Sequence, residues 1–205
     1  MILVAAVPNG PSATTGLWVG AATPRIVPGG LPLQVIRLQG TDGKVSYRVR
    51  GSGWSAGKTV VVSVFSADGT LDVPVAAPPA PVAAAGTFQA TWAPDAGWAG
   101  RSDLGIRAIT TDGTQASIRY LPWAMLSKTA QGGTFQIQGV GWPGVVGLCA
   151  EMHRPGAPDT ELGRVTTDGT GAFRLTLALP RVPDNPRNSI EICTPDEVYS
   201  AQFGF

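Results

Sequence analysis

This chain is poor in charge, in histidine and in cysteine, and each shortage narrows what it does. Only 14% of its 205 residues are charged and the formal net charge is +1. That balance supplies no electrostatic term large enough to hold a phosphate backbone, and no basic run concentrates one, so nucleic acid is not an expected partner. The single histidine, His153, precedes Arg154-Pro155-Gly156 with no nucleophile or metal ligand at a useful spacing, and a structural role is expected for it. No G-x-S-x-G elbow, H-E-x-x-H helix, phosphate loop or dinucleotide fingerprint occurs. The carboxylates are scattered, and four of the ten aspartates sit in Asp-Gly pairs. Two distant carboxylates can form a glycosidase pair, but so little loop material offers few walls for a cleft. The expectation is a protein without enzymatic activity, cofactor or metal.

Long apolar runs are also missing. The first 24 residues carry no charged side chain, yet they lack a basic start, and Ile2-Leu3-Val4-Ala5-Ala6-Val7 stops at Pro8-Asn9-Gly10. This is too short for a signal-peptide core and far from the roughly 20 residues of a spanning helix. No signal peptide, membrane segment or membrane partner is expected, and synthesis is expected in the cytoplasm.

What the chain has in quantity is glycine (27) and proline (18), placed between alternating, β-rich runs. Gly51-Ser52-Gly53-Trp54 returns 88 positions later as Gly139-Val140-Gly141-Trp142, each time between strand-like segments. Gly86-Thr87-Phe88 returns as Gly171-Ala172-Phe173 at an offset of 85, and Ile106–Thr110 matches Ile190–Thr194 at 84. Three landmarks in the same order mark one supersecondary unit used twice. Asp-Gly at 42–43, 68–69, 112–113 and 168–169 predicts tight type I′ hairpin turns. The clearest hairpin joins 104–109 to 115–120 through Thr110-Thr111-Asp112-Gly113-Thr114. No helical period is present, so each copy reads as six or seven short strands, the pattern of an aligned β-sandwich.

Gly-Ser-Gly-Trp-Ser-Ala-Gly-Lys-Thr-Val-Val-Val-Ser-Val, followed later by Gly-Thr-Phe-Gln-Ala, resembles the bacterial and bacteriophage immunoglobulin-like modules. The resemblance covers roughly residues 43–120 and, with gaps, 131–205. It implies an all-β chain of two tandem immunoglobulin-like β-sandwich domains, at 43–122 and 123–205, preceded by an extended N-terminal arm at 1–42. Residues 121–131 would be an apolar linker, with Trp123 and Met125 buried between the domains. The arm has one strand-like stretch, Leu33-Gln34-Val35-Ile36-Arg37-Leu38; Leu17, Trp18, Ile26 and Val27 are its candidate docking contacts. It either docks on another subunit or packs back on the first sandwich. The Ala/Pro-rich stretch 73–85 reads as a long surface loop of polyproline character.

In antibody domains a disulfide links the two sheets, and by resemblance Cys149 and Cys193 would be candidates for one. Side-chain alternation argues otherwise. Cys193 shares a face with Glu191 and Cys149 with Gly147 and Glu151, whereas Leu148, Ala150, Met152, Ile190 and Ile192 lie opposite. Both thiols then point away from the core unless a bulge reverses the parity, and bonding between them stays open.

Trp54 and Trp142 are expected to plug the ends of the sandwiches. Trp92 and Trp98 flank a short loop, where an indole pair forms a platform for sugar rings; burial beneath the 73–85 stretch is the other account. Asp184-Asn185-Pro186-Arg187-Asn188 is a polar loop in which Asp184, Asn185 and Arg187 are ligand-contact candidates, or a solvated turn.

Two functions follow as expectations. The first is a non-enzymatic structural protein of a bacteriophage or phage-like particle: a head decoration, tail or baseplate component located in the virion. Its partners would be capsid or tail proteins and itself as a homo-oligomer. The alternative is a carbohydrate-binding, adhesive module of a bacterial surface protein. The two overlap where a virion-borne module holds a host surface glycan. A start at Met1 and an aromatic finish at Phe203-Gly204-Phe205 disfavour an accessory domain cut from a larger enzyme.

Overall fold

A computed structural model describes residues 31–75, 78–118, 120–128, 134–179, 185 and 187–204. The fold is all-β, and among the described residues no helix is longer than one 3-10 turn at Ala96–Trp98. Strands β1 (Leu33–Gln39), β2 (Val45–Gly51), β3 (Thr59–Ser66), β4 (Asp72–Pro74), β5 (Ala80–Pro81), β6 (Phe88–Trp92), β7 (Leu104–Thr110) and β8 (Gln115–Ile118) make the first half. The second half contains β9 (Trp123–Lys128), β10 (Thr134–Val140), β11 (Gly147–His153), β12 (Thr160–Thr166), β13 (Phe173–Ala178), β14 (Ser189–Cys193) and β15 (Tyr199–Gly204).

The halves repeat one strand order. In the first, β1-β2-β6 forms one layer and β4-β3-β7-β8 the other, with β5 also on β3; in the second, β9-β10-β13 faces β12-β11-β14-β15. Strand β1 pairs in parallel with β15, Val35 opposite Tyr199 through Gln39 opposite Phe203. The result is a continuous seven-stranded sheet, β12-β11-β14-β15-β1-β2-β6, shared by both halves. One apolar cluster runs through the molecule and includes Val35, Val49, Val62, Ile106, Ile137, Leu148, Ile190, Ile192 and Phe203.

The repeated corner has a packing cause. Phe88 and Phe173 meet Trp54 and Trp142 edge to face, with ring centroids 5.1 and 5.5 Å apart. A Cβ on Gly51 would lie 2.2 Å from the Phe88 ring, and one on Gly139 2.4 Å from the Phe173 ring, so only glycine leaves room for the phenylalanine. Gly53 and Gly141 turn the chain at φ +77 and +75. The Trp54 and Trp142 amides then donate to the carbonyls of Gly86 (2.9 Å) and Gly171 (3.3 Å). Both tryptophans are buried, as plugs should be.

Several expectations change. The stretch Leu33–Gln39 lies N-terminal to the boundary drawn at residue 42, yet it is a sheet member between β2 and β15 rather than part of a free arm. Residues 123–128, read partly as linker, are strand β9 on β10, and Trp123 and Met125 are only half-buried. Within the stretch read as a 73–85 loop, β4 and β5 pair with β3, and Ala80 and Val82 are buried. The Asp-Gly turns at 42, 68 and 112 have positive φ at glycine alone, which makes them type I turns closed by a left-handed glycine, not type I′. The aspartates explain why: each carboxylate accepts the amide two residues on, from Lys44 (3.1 Å), Thr70 (3.0 Å) and Thr114 (3.2 Å).

Val145 adopts φ +56 in the turn after the second corner, with its side chain 71% exposed. The matching residue of the first corner is Gly57 at φ +76. A β-branched residue in this region is strained, and nothing packs on it in return. Val145→Gly should therefore raise the free energy of unfolding by roughly 0.5–1 kcal/mol, net of glycine's extra freedom in the unfolded chain. Urea unfolding measures this, and an unchanged or lowered midpoint would contradict it.

Candidate functional site

The polar residues of the second half gather on the outer face of β12-β11-β14-β15. Register places Glu161, Glu151, Glu191 and Gln202 in one row across the four strands, and Cys149 opposite Cys193 in the next. Like charges directly opposite one another destabilise a sheet. Arg164 offsets Glu161 through two contacts of 2.8 Å, and Gln202 donates to Glu191 at 3.0 Å. Glu151 accepts from the Cys149 thiol at 3.5 Å.

His153 closes the row. Its Nδ1 lies 2.8 Å from Oδ1 of Asp159, in the β11–β12 loop. Its Nε2 is 3.0 Å from Oε2 of Glu191 without the alignment of a hydrogen bond. Burial lowers the imidazole pKa, but the Asp159 bond and the charges of Asp159 and Glu191 outweigh it, and the net shift is upward from 6.5. His153 thus bridges the β11–β12 loop and β14, and the two carboxylates favour its protonated form. Ligand atoms of Glu151, His153 and Asp159 lie within 4.8 Å of one another, so these three are the described residues best placed to hold a divalent ion. Sequence reading missed the cluster; strand alternation puts Glu151 and His153 on one face of β11, but Asp159 joins them only through the path of the β11–β12 loop, which leaves no local signal.

The thiol parity argument holds. Both cysteines are free and half-buried, within one sheet, and Leu148, Ala150, Ile190 and Ile192 fill the core face behind them. Burial first, then neighbouring glutamates, push the Cys149 thiol up to about 11 and Cys193 up to about 12.

Trp92 and Trp98 do not make a joint platform. Trp92 is buried and stacked on Tyr47, centroids 5.7 Å apart. Trp98 ends the 3-10 turn that Asp95 caps by accepting from Gly97 N at 3.1 Å. It lines an indentation of about 110 Å³ with Val45, Tyr47, Pro94, Asp95 and Trp123. Arg187 is exposed in a turn where its amide donates to Asn185 Oδ1 at 3.0 Å. Asp184, Leu17, Trp18, Ile26 and Val27 lie outside the described residues.

A group whose pKa rises on folding adds stability that is complete below its unfolded value and fades as pH climbs through the folded one. His153→Gln should accordingly lower the thermal midpoint more at about pH 5.5 than at about pH 9. A pH-independent difference would show that the imidazolium is not what ties the loop to β14.

No family model and no curated protein matches the chain. A similar solved structure is that of a tetra-tandem repeat in the extending region of a large adhesion protein, at 12% identity and a TM-score of 0.29. The match covers 86% of this chain and 48% of the other, so this chain spans about half the length of that solved chain.

Proposed function

We propose that the chain is a non-catalytic structural and display protein, built from two immunoglobulin-like units, of a bacteriophage or phage-like particle. The observation that carries this reading is the shared sheet. The parallel β1–β15 pair makes the two units one stiff body, which suits projection from a surface better than it suits closure over a substrate. Residues 1–30, whose only charged side chain is Arg25, precede this seam in the chain and are the docking segment. Repetition over symmetric sites would turn a modest apolar contact into firm attachment. The partners are capsid or tail proteins.

The cut that tests this falls at residue 30, because a deletion through residue 42 would remove β1 and open the sheet. Without residues 1–30 the protein should keep its β circular dichroism and cooperative unfolding yet fail to co-purify with particles. Wild-type incorporation of the truncated chain would overturn the docking role.

A second reading, adhesion to a surface glycan, is favoured by the indentation between Trp98 and Trp123 with Asp95 at its rim. Its volume is well below the roughly 300–1,000 Å³ of an enclosing pocket, which fits one face of a sugar ring rather than a whole ligand. Trp98→Ala should weaken binding on a glycan array about tenfold. Equal binding by the variant, or no binding by the wild type, would remove this reading.

A further inference from the structure

We propose that Cys149 and Cys193 are a dithiol modification site, which a small-molecule disulfide closes into a covalent link between β11 and β14. The two residues are direct register partners on antiparallel strands. Opposed residues in such a pair have Cα atoms about 4.5 or 5.5 Å apart, depending on whether they share hydrogen bonds, and both spacings fall in the range a disulfide spans. Alternation puts the two side chains on the same outer face, and both are half-buried rather than sealed.

The fold does not require thiols at this pair. With corner matched to corner and β7 to β14, the first half has Val61 at the place of Cys149 and Ile109 at that of Cys193. These two are also direct register partners. The same scaffold position is thus closed by apolar contact in one half and open to sulfur chemistry in the other.

The surroundings set when the reaction runs. Glu151 and Glu161 face Cys149, with Arg164 opposing them, while Glu191, Glu151 and Glu197 act on Cys193. Burial and this excess of negative charge keep both thiols protonated near neutral pH, so chance oxidation is slow. Either thiol can open the reaction, since both are half-buried on the outer face. With Cys149 first, its thiolate attacks the disulfide RSSR, forming a protein–SR mixed disulfide and releasing RS⁻. The Cys193 thiolate then attacks the Cys149 sulfur, forming the protein disulfide and releasing a second RS⁻. The protein loses two protons and two electrons, and the reagent leaves as two RSH.

The test uses the full chain, reduced, freed of reductant and incubated for an extended time with excess oxidised glutathione at about pH 9, where the small thiolate fraction is roughly a hundredfold that at neutral pH. Intact mass should fall by two hydrogens, and both thiols should vanish from a thiol titration in denaturant. The thermal midpoint should rise by roughly 5–10 °C, because the link closes a loop of about 45 residues. Cys149→Ser and Cys193→Ser should each stop at a single glutathione adduct. As an independent reading, phenylarsine oxide should bind one per reduced wild-type chain, bridging both sulfurs, and should not be held by either serine variant. The proposal falls if the wild type ends as two glutathione adducts, as linked pairs of chains, or as an unreacted dithiol that also refuses the arsenical.

Discussion

Each half of this protein, taken alone, would end in an open strand: β1 beside β2, and β15 beside β14. Exposed strand edges offer unpaired amides and carbonyls to any passing chain. Here the two edges satisfy each other, over Val35–Gln39 against Tyr199–Phe203, with Val35 N donating to Val198 O at 2.9 Å and Gln34 to Glu197 O at 2.9 Å. Parallel pairing in this register also aligns the inner faces, so Val35 and Arg37 lie beside Tyr199 and Ala201. Both covering sheets therefore sit on the same side and must meet. Tyr47 donates to the Pro122 carbonyl at 2.9 Å, Tyr120 packs edge-on against Tyr199, and Gly141 approaches the Leu121 and Arg101 carbonyls so closely that a Cβ would lie 2.9 and 3.1 Å from them.

Arg37 stands at that meeting point, 2% exposed, with its charge centre 5.8 Å from the Trp123 ring and 5.6 Å from Phe203. Its guanidinium reaches Gln39 at 3.3 and 3.4 Å, while Nε has no partner. Burying a charge costs several kcal/mol in general. Two aromatic faces, a weakly hydrated delocalised cation and a packed aliphatic stem are what offset it here. A lysine at this place would lose the planar fit to both rings.

How much of this was legible in the sequence follows from how local each cause is. The glycine-tryptophan corner and its phenylalanine are contiguous motifs with steric requirements, so the repeat, the all-β class and the buried tryptophans could all be read. Cysteine parity could be read for the same reason, since alternation needs only neighbours. The β1–β15 pair could not, because its partners stand more than 160 residues apart and parallel pairing leaves no turn signature between them. Leu33–Gln39 looked like a strand but had no recognisable copy. Its counterpart is Trp123–Lys128, which shares pairing position and nothing of its sequence. Prolines hid β4 and β5, since Pro74 and Pro81 sit in short strands on β3, where proline is tolerated.

The duplication also separates what the scaffold needs from what it does not. Corner glycines, tryptophans and phenylalanines recur because removing any one of them breaks the packing. On the outer face the halves diverge at identical register: Val61 with Ile109 against Cys149 with Cys193, and Ser63 with Arg107 against Glu151 with Glu191. The first half neutralises Arg107 with Asp72, whereas the second sets glutamate against glutamate. The first half holds this register with valine, isoleucine and a salt bridge, so the sheet itself does not call for facing glutamates or thiols. The outer face of β11 and β14 is therefore where the two copies, equal in scaffold, part in chemistry at matched register.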